Sequence, residues 1–131
     1  MIYLDTSALA KMLVEEVESV ALDTWLEEHP GALFTSALAE VELGLALHHR
    51  GRPTAWAAEI LRGVARMEID ATVRERAVTI GWTGLRSLDA IHLASAIELD
   101  ELVAGSMSLV TYDRRMATAA RASGLAVHSP A

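Results

Sequence analysis

The sequence predicts an α/β fold in which a parallel sheet is covered by helices on both faces. Five short apolar segments have the length of buried strands, and seven longer segments with helical periodicity alternate with them. Strands of a parallel sheet are buried on both faces, so they read as short, nearly continuous apolar runs. Strands that alternate with helices are typical of parallel sheets with helical layers outside.

The first half of the chain contains two clear strand–helix pairs. The opening apolar run predicts a strand over residues 2–5, and a second short apolar run predicts a strand over 32–35. Spaced apolar residues then predict helices over 7–14, 17–28, 36–49 and 53–64. Pro53 suits the first turn of the last of these helices, because a proline there gives up no helical hydrogen bond.

The second half repeats the alternation. The predicted strands are "RMEI" at 66–69, "SLVTY" at 108–112 and "LAVH" at 125–128. Helical spacing predicts helices over 71–82, 88–100 and 114–122. Gly124 is suited to the position just after the last helix, where the backbone turns left-handed. No repeat, low-complexity tract or linker interrupts the pattern, so we expect a single domain over residues 1–131.

Length and composition limit the classes of function that this chain can have. A chain of 131 residues can bury roughly two thirds of its unfolded surface, enough for a real core. The absence of cysteine excludes disulfides, thiolate zinc sites and a cysteine nucleophile. The longest stretch without a charged residue has 11 residues, too short to cross a bilayer, and no basic segment precedes the first apolar run. We therefore expect no membrane association and a cytoplasmic location.

Negative charge is concentrated in the first half of the chain. Residues 1–60 carry the whole net charge of −7, whereas residues 61–131 are neutral. A chain this acidic is not expected to bind nucleic acid through counterion release alone. If it acts on nucleic acid, metal cations must mediate the approach or arginines must cluster in space.

Four carboxylates stand just after predicted strands or in the first turns of predicted helices. Asp5 ends the first strand and Asp113 directly follows the fourth, while Glu40 and Asp89 stand near the starts of two helices. In parallel α/β sheets, functional residues gather at the carboxyl ends of the strands. We therefore expect these four side chains to lie at one edge of the sheet.

Each of these residues also has a simpler explanation as a helix cap. An Asp between a strand and a helix is a good N-cap, and an acidic residue in a first helical turn complements the helix dipole. Four converging carboxylates without lysine partners would repel one another and raise their pKa values. A hard divalent cation such as Mg²⁺ or Mn²⁺ relieves that repulsion and prefers carboxylate and water oxygens.

Glu40 and Glu42 compete for the same role. Two residues turn a helix by about 200°, so both cannot face one site. Glu40 lies nearer the carboxyl end of the second strand, which favours it weakly, and Glu42 is expected to be solvated or paired with a basic residue.

Four segments give the chain a resemblance to the PIN domain family. They are "YLDTSAL" (3–9), "TSALAEVELG" (35–44), "SLDAIHLASA" (87–96) and "LVTYDRRMATAARASGLAV" (109–127). Their order and spacing resemble most closely the VapC-type toxin ribonucleases of toxin–antitoxin pairs. The resemblance implies an α/β/α sandwich with strand order 3-2-1-4-5 and a metal-dependent endoribonuclease activity. It also implies an RNA substrate, a cognate antitoxin protein and a homodimer.

The resemblance also implies a set of site residues. The carried-over acidic residues, as catalytic residues and as ligands of Mg²⁺ or Mn²⁺, are Asp5, Glu40, Asp89 and Asp113. Thr6 and Thr111 match small hydroxyl positions that line such sites. Many relatives have a further acidic residue just after the one matching Asp113.

This chain has Arg114 and Arg115 at those positions instead. The replacement argues against a fully occupied second metal site. We expect these two arginines, together with Arg86, to contact phosphate, because guanidinium groups match phosphate oxygens.

Two other classes of protein use similar elements. Receiver and phosphatase domains also bind Mg²⁺ at strand ends, but they place a lysine near the phosphoryl group, and the sole lysine here is Lys11 in the first helix. A non-catalytic module that keeps the fold and only binds RNA or a protein remains the other alternative. His92 lies three residues after Asp89. We expect a hydrogen bond within the fold for it rather than substrate contact.

Overall fold

The computed structural model describes residues 1–81 and 84–131. The strands are β1 (Ile2–Leu4), β2 (Leu33–Ser36), β3 (Val64–Met67), β4 (Ser108–Val110) and β5 (Ala126–His128). The helices are α1 (Thr6–Leu13), α2 (Ser19–Glu28), α3 (Leu38–His49), α4 (Ala55–Leu61), α5 (Ala71–Gly81), α6 (Ser87–Leu102) and α7 (Arg114–Ala122). None of the helices in these ranges combines the length and apolar composition that a bilayer crossing requires.

The five strands form one parallel sheet with β1 at its centre. Their order is β3-β2-β1-β4-β5, and every neighbouring pair is parallel. The α/β class and the strand order 3-2-1-4-5 are therefore confirmed. Leu4 is in register with Val110, so the residues that follow β1 and β4 leave the same edge of the sheet side by side.

The third strand starts two residues earlier than predicted. The structure pairs Val64 with Leu33 and Met67 with Ser36, so β3 covers 64–67 instead of 66–69. The preceding helix ends at Leu61 because Gly63 breaks it and Val64 packs into the core. Trp82, the last residue of the helix predicted over 71–82, lies outside the described residues.

The core has two main halves, one on each face of the sheet, and a smaller cluster between α5 and α6. On one face, Leu4 packs with buried residues of α1 to α4, such as Leu9 and Leu22. On the other face, Tyr3 packs with residues of α6 and α7, such as Leu93. Successive strand residues point to opposite faces, so neighbouring Tyr3 and Leu4 anchor different halves.

We expect Leu9→Ala to lower the free energy of unfolding by about 2–5 kcal/mol, because it leaves a cavity between α1 and the sheet. Leu9 is fully buried, whereas Val17 is almost fully exposed. Val17→Ala is the matched control and should change the free energy by less than about 0.5 kcal/mol. Urea denaturation measures both, and similar losses in the two variants would contradict this packing.

Candidate active site

Asp5 and Asp113 flank the edge where β1 and β4 end. The Oδ1 atom of Asp5 accepts a hydrogen bond from the Ala8 amide at 3.1 Å and caps α1. Asp113 caps α7 in the same way, through a 2.9 Å bond from the Met116 amide. Both residues are therefore helix caps, and the remaining question is what else their carboxylates do.

Two hydroxyl groups hold the Asp5 carboxylate in place. The Ser7 hydroxyl donates to Oδ1 at 2.6 Å, and the Thr111 hydroxyl donates to Oδ2. The same hydroxyls accept hydrogen bonds from the amides of Tyr112 (2.9 Å) and Asp113 (3.1 Å). The sheet edge is thus cross-linked from the end of β1 to the turn after β4.

Ser7 is a site residue that the sequence analysis missed. Its position two residues after Asp5, in the "DTS" stretch, was the available signal. Thr6 and Thr111, both predicted to line the site, do lie beside its carboxylates.

Asp89 lies in the first turn of α6 without a cationic partner. The helix begins at Ser87 and has Arg86 at its N-cap, with no capping side chain. No hydrogen bond or ion pair from the described residues reaches the Asp89 carboxylate. Burial raises the pKa of Asp89, and the charges of Asp113, Asp5 and Glu42 raise it further, against an opposing effect of His92.

Three other carboxylates influence Asp89. The charges of Asp113, Asp5 and Glu42 all raise the pKa of Asp89, so the four side chains lie in one region of negative charge. Asp5 itself is 4% exposed. Burial raises the pKa of Asp5, although hydrogen bonds from Ser7 and Thr111 oppose the rise. We use the name acidic edge for Asp5, Glu42, Asp89 and Asp113.

Glu42, not Glu40, belongs to the acidic edge. Glu40 is exposed, and its Oε1 accepts a 2.8 Å hydrogen bond from Arg66 on β3. The Oε1 atom of Glu42 instead accepts bonds from the Thr6 hydroxyl at 2.7 Å and from His92 Nε2 at 2.6 Å. This corrects the expectation that Glu40 faces the cluster.

The reason lies in the direction in which each side chain leaves α3. The two residues are about 200° apart on the helix, as expected. The packing of α3 against α1 and α4 turns position 42 inward, where Glu42 bonds Thr6 of α1 and His92 of α6. Burial opposes ionisation of Glu42, but hydrogen bonds from His92 and Thr6 and the electrostatic effect of His92 outweigh it and lower the pKa of Glu42.

His92 is held inside the fold. It is 2% exposed, its Nδ1 atom bonds the Tyr3 hydroxyl at 2.8 Å, and its Nε2 atom bonds Glu42. The expected internal hydrogen bonding of this histidine is what the structure contains.

The three candidate phosphate-binding arginines are exposed. Arg86, Arg114 and Arg115 make no ion pair with any described residue. Arg114 and Arg115 line a largely apolar cavity of about 710 Å³, together with Leu85 and Leu93. A second, more polar cavity of about 390 Å³ is lined by both Asp113 and Arg114. Of these three arginines, Arg114 is the one that shares this cavity with a member of the acidic edge.

The acidic edge has the chemistry of a hard-cation site without a finished coordination shell. In residues 1–81 and 84–131, no three His, Asp or Glu side chains form a group ready to hold a metal ion. Asp5, Asp89 and Asp113 have no basic partner among these residues. Their oxygens fit Mg²⁺ or Mn²⁺, and Mg²⁺ keeps several water ligands and needs few from protein.

The protein is a parallel α/β protein with a five-stranded sheet. Its acidic edge lies where the strand order switches, between β1 and β4. The sequence model of the PIN domain family matches residues 2–122, so the chain belongs to the PIN domain family. The resemblance seen in the sequence is thereby confirmed.

Particular relatives refine the comparison. Ribonuclease VapC35 of Mycobacterium tuberculosis is 46% identical over 134 residues, which cover 99% of this chain and 97% of that protein. The crystal structure of VapC20 of the same organism, a sarcin–ricin loop cleaving toxin, has a TM-score of 0.75 at 18% identity and covers 99% of this chain and 100% of that one. A toxin–antitoxin complex from Klebsiella pneumoniae has a TM-score of 0.74 at 19% identity, with 100% and 98% coverage. These two structures share the fold.

We expect Asp89→Asn to stabilise the metal-free protein at neutral pH. A raised carboxyl pKa means that the folded state binds the proton at a pH where the unfolded state has lost it, so stability falls as pH rises through that interval. Asparagine removes this cost while keeping the size of the side chain. The gain should disappear below the ordinary Asp pKa of about 3.9, where both states are protonated.

Urea denaturation in EDTA at neutral and acidic pH measures this difference. Asp23→Asn is the control, because Asp23 is exposed on α2 and should change stability by less than about 0.5 kcal/mol. A loss of stability in Asp89→Asn at neutral pH would contradict the repulsion at the acidic edge.

Proposed function

We propose that this protein is a metal-dependent endoribonuclease that hydrolyses RNA phosphodiester bonds and acts as the toxin of a toxin–antitoxin pair. The observation that carries the proposal is the acidic edge, where Asp89 lies half-buried and unpaired within the field of Asp5, Asp113 and Glu42. Uncompensated carboxylates at the switch point of a parallel sheet suit catalysis better than stability. The name of the VapC35 relative supports RNA as the substrate class.

In this proposal Asp5, Asp89 and Asp113 hold the metal ion, and Glu42 takes the role expected of Glu40. A bound Mg²⁺ or Mn²⁺ supplies a water of lowered pKa and neutralises charge on the phosphate. Ser7 and Thr111 keep the Asp5 carboxylate in one orientation through their hydrogen bonds. Glu42, whose pKa is lowered, is ionised at neutral pH and can bind the ion or orient a water.

The substrate backbone would approach from the side of α7. Arg114 lines the same cavity as Asp113, so its guanidinium can hold a phosphate next to the acidic edge. We assign Arg115 and Arg86 to neighbouring phosphates. Thr6 and Thr111 line the path from the inner side, although in the free protein both hydroxyls donate to carboxylates.

A second candidate is a PIN-like module that binds RNA or a protein without cleaving it. The observation in its favour is that no group of three ligands in residues 1–81 and 84–131 is ready to hold a metal ion. The two candidates differ in whether cleavage and metal dependence occur together.

We expect the purified chain to cleave structured RNA with Mg²⁺ or Mn²⁺ and not with EDTA. Asp5→Asn, Asp89→Asn and Glu42→Gln should each lower the rate by at least about 100-fold, because each removes a charge that holds the ion or orients water. Glu40→Gln is the matched control on the same helix and should retain nearly wild-type cleavage.

The assay follows labelled RNA on gels, with circular dichroism to verify folding of each variant. Equal cleavage by wild type and all variants would indicate a contaminating nuclease. Loss in Glu40→Gln with retention in Glu42→Gln would overturn the assignment of Glu42. Metal binding by the wild type without cleavage of any RNA would favour the binding module.

We further propose that the chain forms a homodimer in the cytoplasm and is neutralised by an antitoxin protein. The toxin–antitoxin complex among the structural neighbours and the acidic first half of the chain support a basic partner. On the acidic surface before α2, Glu16 and Glu18 are paired with Lys11, and Glu16 also with Arg50. Exposed Glu15 is therefore more available to a partner than these two residues.

We expect light scattering to give twice the chain mass of 14.1 kDa for the purified protein. A tagged copy expressed in its native cells should co-purify with a small protein that suppresses RNA cleavage, and Glu15→Lys should weaken that association. A monomeric mass would contradict the dimer, and a co-purified protein without effect on cleavage would contradict the antitoxin.

A further inference from the structure

A buried hydrogen-bonded chain runs from the core of the protein to the acidic edge. Tyr3 on β1 is fully buried, and its hydroxyl lies 2.8 Å from His92 Nδ1. On the other side of the imidazole, Nε2 lies 2.6 Å from Glu42 Oε1 and 3.1 Å from the Thr6 hydroxyl. This series of hydrogen bonds therefore connects β1, α6, α3 and α1 at the Glu42 carboxylate.

The chemistry of Tyr3, His92 and Glu42 determines which group donates and which accepts in each of these hydrogen bonds. An ionised carboxylate only accepts hydrogen bonds, so the proton on the Glu42 side belongs to His92 Nε2. With that nitrogen protonated, Nδ1 is free to accept the proton of the Tyr3 hydroxyl. Burial raises the pKa of Tyr3 well above its usual value, so the phenol keeps the proton that it donates.

The surroundings leave the imidazole no freedom to rotate. His92 meets the Tyr3 ring edge-on, with centroids 5.9 Å apart and planes at 77°, and is closed off from solvent. Its two nitrogens are both occupied. Because both nitrogens of the His92 ring are held, the ring fixes the position of the Glu42 Oε1 atom.

Only one oxygen of Glu42 is used in this arrangement. Oε1 receives bonds from both His92 and Thr6, whereas Oε2 accepts no hydrogen bond from the described residues. The Glu42 side chain is 20% exposed, so it is not sealed inside the fold as His92 is. Asp89 stands one helical turn before His92 on α6, so the same helix sets the position of two carboxylates.

We propose that Tyr3 and His92 are positioning residues that hold Glu42 in its orientation at the acidic edge, so that its free oxygen faces the metal ion and its waters. This inference rests on the proposed function. Neither residue touches substrate; both act through Glu42. Hydrogen-bond partners of metal-binding carboxylates typically contribute about 10- to 100-fold to metal affinity or activity.

The test compares variants of His92 that differ in the hydrogen bond to Glu42. His92→Gln keeps an amide N–H that can donate to Glu42, whereas His92→Leu fills similar space without a donor. Tyr3→Phe removes only the hydroxyl that fixes the far side of the ring. Leu22→Ala is the stability control, because Leu22 is fully buried in α2 and belongs to the other half of the core.

The measurement is Mn²⁺ affinity of the full chain, from the free-ion signal in electron paramagnetic resonance, with RNA cleavage as a second readout. We expect His92→Leu to weaken Mn²⁺ binding by about 10- to 100-fold. His92→Gln should restore affinity to within about threefold of wild type, and Tyr3→Phe should show a smaller loss than His92→Leu. Leu22→Ala should lower thermal stability and leave Mn²⁺ affinity unchanged. If His92→Leu does not fold, the comparison of Tyr3→Phe with wild type decides.

Three results would overturn the inference. Wild-type affinity in both His92→Leu and Tyr3→Phe, with Asp5→Asn unable to bind Mn²⁺, would leave the metal site standing and remove the positioning role. Equal losses in His92→Gln and His92→Leu, or a parallel loss in Leu22→Ala, would show that the effect is general destabilisation. No Mn²⁺ binding by wild type would overturn the proposed function and this inference together.

Discussion

The buried carboxylate of Asp5 is the constraint on which the rest of the site depends. It ends the central strand, caps α1 and accepts hydrogen bonds from hydroxyl groups that belong to α1 and to the turn after β4. A buried charge is costly unless hydrogen bonds or an ion compensate it. The fold supplies three donors, and Ser7 and Thr111 in turn hold the amides of the chain that leads to Asp113. One carboxylate thus organises the edge where β1 and β4 end.

Several acidic residues outside this edge are held in ion pairs. Lys11, the sole lysine of the chain, is largely buried between Glu16 and Glu18, and Arg76 bridges Glu98 and Glu101 on α6. Such pairs relieve local repulsion, although each contributes little to stability when exposed. Asp5, Asp89 and Asp113 have no comparable partner in the described part of the chain. Within the described residues, these three carboxylates are therefore left without a cationic partner at the edge where a cation and a phosphate would meet.

His92 connects the two helical layers across the end of the sheet. It belongs to α6 on one side, and its Nε2 atom meets Glu42 of α3 and Thr6 of α1 on the other. The two helical layers pack on opposite faces of the sheet. Because His92 joins them at this edge, the sheet determines the distance between the carboxylates of one layer and those of the other. A hydrogen-bonded histidine suits this position better than an apolar residue, since it satisfies Tyr3 and Glu42 at the same time.

The sequence by itself determined the α/β class, the existence of every strand and helix in the described residues, and three members of the acidic edge. Buried parallel strands leave short apolar runs, and a carboxylate just after such a run stays at the strand end in any packing of the helices. Asp5 and Asp113 can be predicted for that reason, and Asp89 from its place in the first turn of a helix. Register is different, because the start of β3 depended on which residues pair with Leu33 and Ser36.

Only the tertiary structure showed that Glu42 bonds His92 whereas Glu40 bonds Arg66, and that Ser7 bonds Asp5 and Tyr3 bonds His92. Local spacing predicts that the two glutamates face apart, but the rotation of α3 is set by its packing on α1 and by the bond from Glu42 to His92 of α6, both far away in the chain. The bond between His92 and Glu42 joins residues 50 positions apart, and that between Tyr3 and His92 joins residues 89 positions apart. Contacts over such separations leave no periodic trace in one sequence, because they exist only once the sheet has brought the helices together.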